Sequence, residues 1–278
     1  MPAALDSRRV SLLAAAIFFF PISPFLFAQG ARSPELPVEL TPGKDSFPVN
    51  VTRLPFADKT GVLSNEEKIN AVAWFENKLL CVRVVFPAEK ELRSHLKWHW
   101  SPEKRVYKPG KEQEQTLVIL WSKSRESFSQ ADAWVWRAAR TDPAGWADDM
   151  GCRTDSIGGA ALSPLDAVRQ IIYDGGRLCW YSRIPSAFAG ETLPRFYCRA
   201  PTESCADVLA SGRWQDGLWT VLMGRKLKTG HEEDDLQFAP GERYYFFCLA
   251  GEGSADWRYF AMFCLDIPAS LPRDGAQR

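Results

Sequence analysis

The chain has 278 residues, and its 34 basic and 34 acidic side chains leave no net formal charge at pH 7. That balance, with no basic block anywhere, argues against nucleic acid as a partner. Hydrophobic residues make up 46% of the chain, and it carries 11 tryptophans. Indole rings serve cores, haem slots and sugar sites alike, so their abundance selects none of the three.

The first 30 residues read as a signal peptide. Arg8 and Arg9 give a positive start, and residues 10–27 are apolar but interrupted by Pro21 and Pro24. Prolines disfavour a spanning helix, and Ala28-Gln29-Gly30 offers small residues at a cleavage site. The expectation is a periplasmic or secreted protein with no stable transmembrane anchor after cleavage; an uncleaved anchor is the rival reading. Residues 31–54 read as an extended lead-in, 55–268 as one domain, and 269–278 as a disordered tail.

Residues 71–86 predict two strands around the polar turn Glu76-Asn77-Lys78. His95 and His99 would share a face if their segment were helical, as a metal pair or as two histidines beside aromatic packing. Pro109-Gly110 marks a turn, 116–121 a strongly apolar strand, and 122–130 a polar loop. Trp134 and Trp136 share a strand face with Val135 opposite. Asp142-Pro143 and Ala144-Gly145 break the chain, and Asp148-Asp149 reads as a carboxylate pair or a solvated loop end. Residues 151–196 read as an insertion, with a helix over 163–172 capped by Ser163 and entered by Pro164.

The stretch 211–241 carries the strongest local signals. Gln215-Asp216-Gly217 is a tight turn. The strand after it puts Trp219, Val221, Met223 and Arg225 on one face, with Leu218, Thr220 and Leu222 on the other. Two more strands follow over 244–249 and 259–265. Short alternating segments punctuated by Gly and Pro predict an all-β antiparallel sandwich with loop insertions and one or two short helices.

Seven cysteines lie beyond the leader. In an oxidising compartment Cys198 pairs best with Cys205, and Cys248 with Cys264 across a hairpin turning near Gly253. There is no C-x-x-C-H for covalent haem, no G-x-S-x-G elbow, no P-loop and no dinucleotide fingerprint. With three histidines in the chain, the expectation is a protein that is not an enzyme by itself.

Three motifs in order carry a family resemblance. They are an aromatic strand pair over 95–120, then Trp134-Val135-Trp136-Arg137-Ala138-Ala139-Arg140 through Pro143, Gly145 and Asp148-Asp149, then Trp214, Asp216-Gly217, Trp219, Arg225, Thr229-Gly230-His231 and Asp234-Asp235. Together they resemble the haem-binding domain related to the ethylbenzene dehydrogenase gamma subunit, a DOMON-like group, over about 72–263. The resemblance implies an immunoglobulin-like β-sandwich, haem b held by a Met and a Lys, and electron transfer to a periplasmic oxidoreductase or cytochrome partner. The implied ligand positions fall in 128–131 and 254–258, which hold no Met, Lys or His. Met223 and His231 are then the substitute iron donors. Trp134, Trp136 and Trp219 would line the slot, and Arg137, Arg140 and Arg225 would meet the propionates. The alternative is a haem-free structural or carbohydrate-binding module using Trp98, Trp100, Trp146 and Trp180.

Overall fold

The computed structural model describes residues 41–43, 46–56, 68–152, 161–173, 175–253 and 256–271. The signal-peptide segment and most of the tail therefore lie outside the described residues. Among the described residues no helix is long and apolar enough to cross a membrane.

The strands are β1 (Phe47–Leu54), β2 (Asn70–Glu76), β3 (Leu79–Pro87), β4 (Trp98–Ser101), β5 (Val106–Pro109), β6 (Gln115–Ser122), β7 (Asp132–Arg137) and β8 (Asp148–Cys152). After the helix α1 (Pro164–Val168) come β9 (Ile171–Tyr173), β10 (Trp180–Ser182), β11 (Thr192–Leu193), β12 (Phe196–Cys198), β13 (Leu209–Gln215), β14 (Leu218–Lys226), β15 (Arg243–Glu252) and β16 (Asp256–Asp266). The large sheet runs β13-β14-β3-β2-β1-β16-β15-β6-β7-β8-β9, with β10-β12 and β11-β4-β5 as two small appended sheets. Every named pairing is antiparallel, so the all-β expectation holds.

The sheet curls so that its two halves face each other, which makes a sandwich. The segment read as a lead-in contains the strand that joins them. Phe47, Pro48 and Val49 pair with β2, while Asn50 to Leu54 pair with β16. Across the inner space, Val82, Val84, Phe86, Trp219, Val221 and Met223 from one half pack with Trp121, Trp134, Trp136 and Phe246 from the other. On the far side the chain closes again: Trp146 bridges Leu209, and Ala147 N donates to Val208 O at 3.0 Å.

Two hairpins follow their turn residues. Asn77 and Lys78 both take positive φ between β2 and β3, as do Asp216 and Gly217 between β13 and β14. These left-handed pairs match the twist of the flanking strands. In β14 the inner-face residues Trp219, Val221, Met223 and Arg225 are fully buried; on the outer face Leu222 is buried but Leu218 is exposed. The helix is shorter than expected: Ser163 caps it and Pro164 opens it, but Ile171 and Ile172 belong to β9.

A second apolar layer covers the outer face of the β16-β15-β6-β7-β8 half. Phe128, Ala131, Ala167, Phe247 and Phe260 form its centre, with Phe56 and Trp257 packed against them. Neither expected disulfide is formed. Cys248 faces the inner core opposite Ala261, whereas Cys264 stands opposite Tyr245 and its Sγ turns to Asp266. Alternation sends these two side chains to opposite faces of one sheet, which excludes a bond between them. Cys198 is exposed across from Trp180, and the buried Cys205 thiol donates to Gly175 O at 3.5 Å.

Candidate functional site

The inner face of β14 ends on Arg225, a fully buried guanidinium. Asp132 and Asp149 reach it from β7 and β8, and Asp235 from the loop after β14. Arg225 Nη1 lies 2.6 Å from Asp132 Oδ2, 3.5 Å from Asp149 Oδ2 and 3.4 Å from Asp235 Oδ1. Nη2 donates to Leu236 O at 2.5 Å, and the guanidinium stacks on Trp134 and Phe238. Burial alone would lower the Arg225 pKa; the three carboxylates outweigh it and raise it. Burial raises Asp132 against the opposing pull of Arg225, and raises Asp235 to about 6. One guanidinium thus serves three buried carboxylates, and Asp132 Oδ1 has no hydrogen-bond partner.

Asp148 and Asp149 are both buried on a strand, so the loop-end reading does not hold. They face opposite ways, as neighbours on a strand must. Asp149 turns inward to Arg225. Asp148 turns outward, where it pairs with Arg137 and accepts from Trp180 Nε1 at 3.0 Å. Arg140 pairs with the buried Glu114 at 2.5 Å, and Glu114 also accepts from the backbone of Ala139 and Arg140. Guanidinium and aromatic groups then alternate outward: Arg140 lies over Trp180 and Phe196, and Arg195 over Phe196 and Trp98. This stack fixes the appended strands to the sandwich. His95 is wedged in it, 5.4 Å from the Phe196 ring and with Nδ1 3.7 Å from Glu114 Oε1, too far for a hydrogen bond. Burial and the nearby Arg140 push its pKa down to about 4, so it is neutral at pH 7.

The segment bearing His95 is not helical, so no shared helical face joins it to His99. His99 lies on β4 and binds Glu112 at 2.5 Å. Met223 sits in the closed core between Val82 and Ala210 on the neighbouring strands. His231 lies on the loop after β14, partly exposed, with Nδ1 2.6 Å from Asp207 Oδ2; that bond raises its pKa. Trp134, Trp136 and Trp219 are fully buried, with Trp136 against Trp219 at 4.9 Å between ring centroids. Of the four candidate sugar-stacking residues, Trp98 is buried and donates to Arg183 O, and Trp180 is tied to Asp148. Trp146 packs beside Trp74 and Leu222. Trp100 meets Tyr107 and Phe188 edge-on.

Asp142 joins the motif segments at the sandwich edge. Its Oδ1 accepts from Trp136 Nε1 at 2.8 Å and from Gly212 N at 2.6 Å, and its Oδ2 meets Arg93 at 2.5 Å. Residues 97–248, more than half of the chain, match the ethylbenzene dehydrogenase family. The chain belongs to that family. No curated protein matches it.

In this ethylbenzene dehydrogenase relative the two segments where the resemblance places the iron ligands lie towards opposite ends of β6. Phe128 and Ala131 belong to the outer apolar layer beyond the Trp121–Asp132 pair, and Trp257 packs against that layer level with Gly251 and Thr116. A continuous cross-strand row crosses the sheet between them: Met262, Phe247, Leu120, Ala133 and Met150. Its two thioethers stand at opposite ends, four inter-strand steps of about 4.8 Å apart. That is far more than the two axial bonds of one iron span. Each arginine that would serve a propionate already faces a buried carboxylate: Arg137 with Asp148, Arg140 with Glu114, Arg225 with Asp132. These residues do not fit haem b held in the way the resemblance implies.

Proposed function

We propose that this chain is a haem-free, non-catalytic subunit of an exported oxidoreductase assembly, built on the ethylbenzene dehydrogenase-family sandwich. The row from Met262 to Met150 carries the reading. Where the relatives are expected to seat haem, this chain packs Phe56, Phe128, Phe247 and Phe260, with ring centroids of Phe56 and Phe247 5.0 Å apart. An iron site needs a donor beside an apolar slot. Here apolar side chains fill the layer, and the two segments where the resemblance places the ligands bring no Met, Lys or His. A contact role draws support from the appended strands, whose neighbourhood exposes Val106, Ile184 and Phe188.

Reconstitution with haemin tests this. The purified full chain mixed with one equivalent of haemin should keep the spectrum of free haemin. A stoichiometric Soret shift would overturn the reading and restore the electron-relay role. In that case, loss of the shift in Met223→Ala or His231→Ala would identify the donor.

A further inference from the structure

We propose that Asp207, His231 and Asp235 form a binding site for one divalent transition-metal ion of the zinc, manganese or cobalt kind. One carboxylate oxygen from each aspartate and one ring nitrogen of His231 lie within 4.8 Å of one another. One imidazole nitrogen with carboxylate oxygens suits such an ion. Calcium would call for six to eight oxygens, more than this corner offers. Water would complete the coordination.

The ligands are held in place before any ion arrives. Asp207 follows the short turn at 203–206, and its backbone N donates to Ser204 O at 3.0 Å. In the loop after β14, the Asp234 and Asp235 amides both donate to His231 O, at 3.1 and 2.9 Å. Ser204 and Thr229 hydroxyls donate to the two oxygens of Asp235, and the His231 amide donates to Thr229 Oγ1 at 3.3 Å. Access is graded. The side chains of His231 and Asp207 are 33% and 24% exposed, while Asp235 closes the inner end at 0%.

A plain ion pair between His231 and Asp207 would explain two of these three residues. The region behind Asp235 supplies the separate reason for a cation. Asp235 also belongs to the inner group with Asp132 and Asp149, whose carboxylate oxygens lie within 4.8 Å of one another. That group faces the single guanidinium of Arg225. Asp132 is 2% exposed, and its Oδ1 has no hydrogen-bond partner. Three carboxylates there share one guanidinium in a dry place, where each is costly to hold charged and a further nearby cation would offset that cost. A dication seated on the outer side of Asp235 adds positive charge there without disturbing the Arg225 contacts. It would also clip the loop carrying His231 to the turn carrying Asp207.

The full chain, stripped of metal by dialysis against chelator and carrying no histidine tag, is titrated with zinc chloride and separately with cobalt chloride. Calorimetry should give one ion per chain, zinc should raise the melting temperature, and cobalt should give a visible band that reports a nitrogen ligand. His231→Ala should lose the one-equivalent step and the cobalt band. His99→Ala, which removes an exposed histidine elsewhere, should keep both. Should His231→Ala not fold, Asp207→Asn is read in its place, and the same losses are expected. Absence of saturable binding in the wild type, or one-equivalent binding that survives loss of His231 or Asp207, overturns the proposal.

Discussion

His95 shows how one side chain can set an acid limit on a fold. Its imidazole lies against Phe196, with Arg140 and Glu114 beside it, and burial pushes its pKa down to about 4. An unfolded histidine titrates near 6.5. The neutral form is therefore favoured by folding. Its stabilisation is present above pH 6.5 and is lost as the pH falls towards 4, because only the unfolded chain then takes up the proton. The effect should be on the order of 2 kcal/mol across that window. Urea unfolding of wild type and His95→Gln at pH 7 and pH 4.5 checks it. The wild type should lose more stability on acidification than the variant does. Equal losses would mean that His95 does not carry the acid sensitivity.

At the scale of elements, the clearest parts of the sequence are those where chemistry is local. Asp216-Gly217 announces its own turn, and the alternation of Trp219, Val221, Met223 and Arg225 announces the buried face of β14. What cannot be read locally is what that face meets. Asp132 and Asp149 lie 93 and 76 residues before Arg225, so nothing near Arg225 in the sequence reveals its carboxylate partners. Likewise β1 carries Pro48 and a mixed polar pattern, which hides a strand shared between the two halves. The approach of β13 to β7 is of the same kind. A methyl group on Gly212 would come within 2.3 Å of Trp136 Cζ2, while the Gly212 amide holds Asp142. The indole is fully buried against Trp219 and has no room to retreat. Gly212→Ala should therefore cost about 1–3 kcal/mol through overpacking, read as a lower urea midpoint at unchanged m. A neutral result would show that the edge can open without loss.

At the scale of the whole molecule, the resemblance and the structure together separate a scaffold from a site. Several motif residues that suggest a haem slot hold the sandwich closed. Trp134 and Trp136 fill the inner space, Asp149 and Asp235 meet Arg225, and Asp148 anchors the appended strands through Arg137 and Trp180. A family pattern can therefore persist in a chain whose ligand segments carry no iron donor, because the pattern specifies packing.

The same view makes β1 the joint of the fold. It is the strand through which the two halves of the large sheet are continuous in hydrogen bonding, with Val49 directed into the shared core. Its register changes partner within one strand, from β2 at Val49 to β16 at Asn50. Removing it would expose the edges of β2 and β16 together and open the inner layer to water. A chain beginning at residue 41 should unfold in one cooperative step, as expected when both halves share one core. A chain beginning at residue 55 should lose that cooperativity, and its tryptophan fluorescence and far-ultraviolet dichroism should no longer report the same transition. If the shorter chain still unfolds in one step at the same midpoint, the two halves are held by the closure at Trp146 and Leu209 instead, and β1 is not the joint.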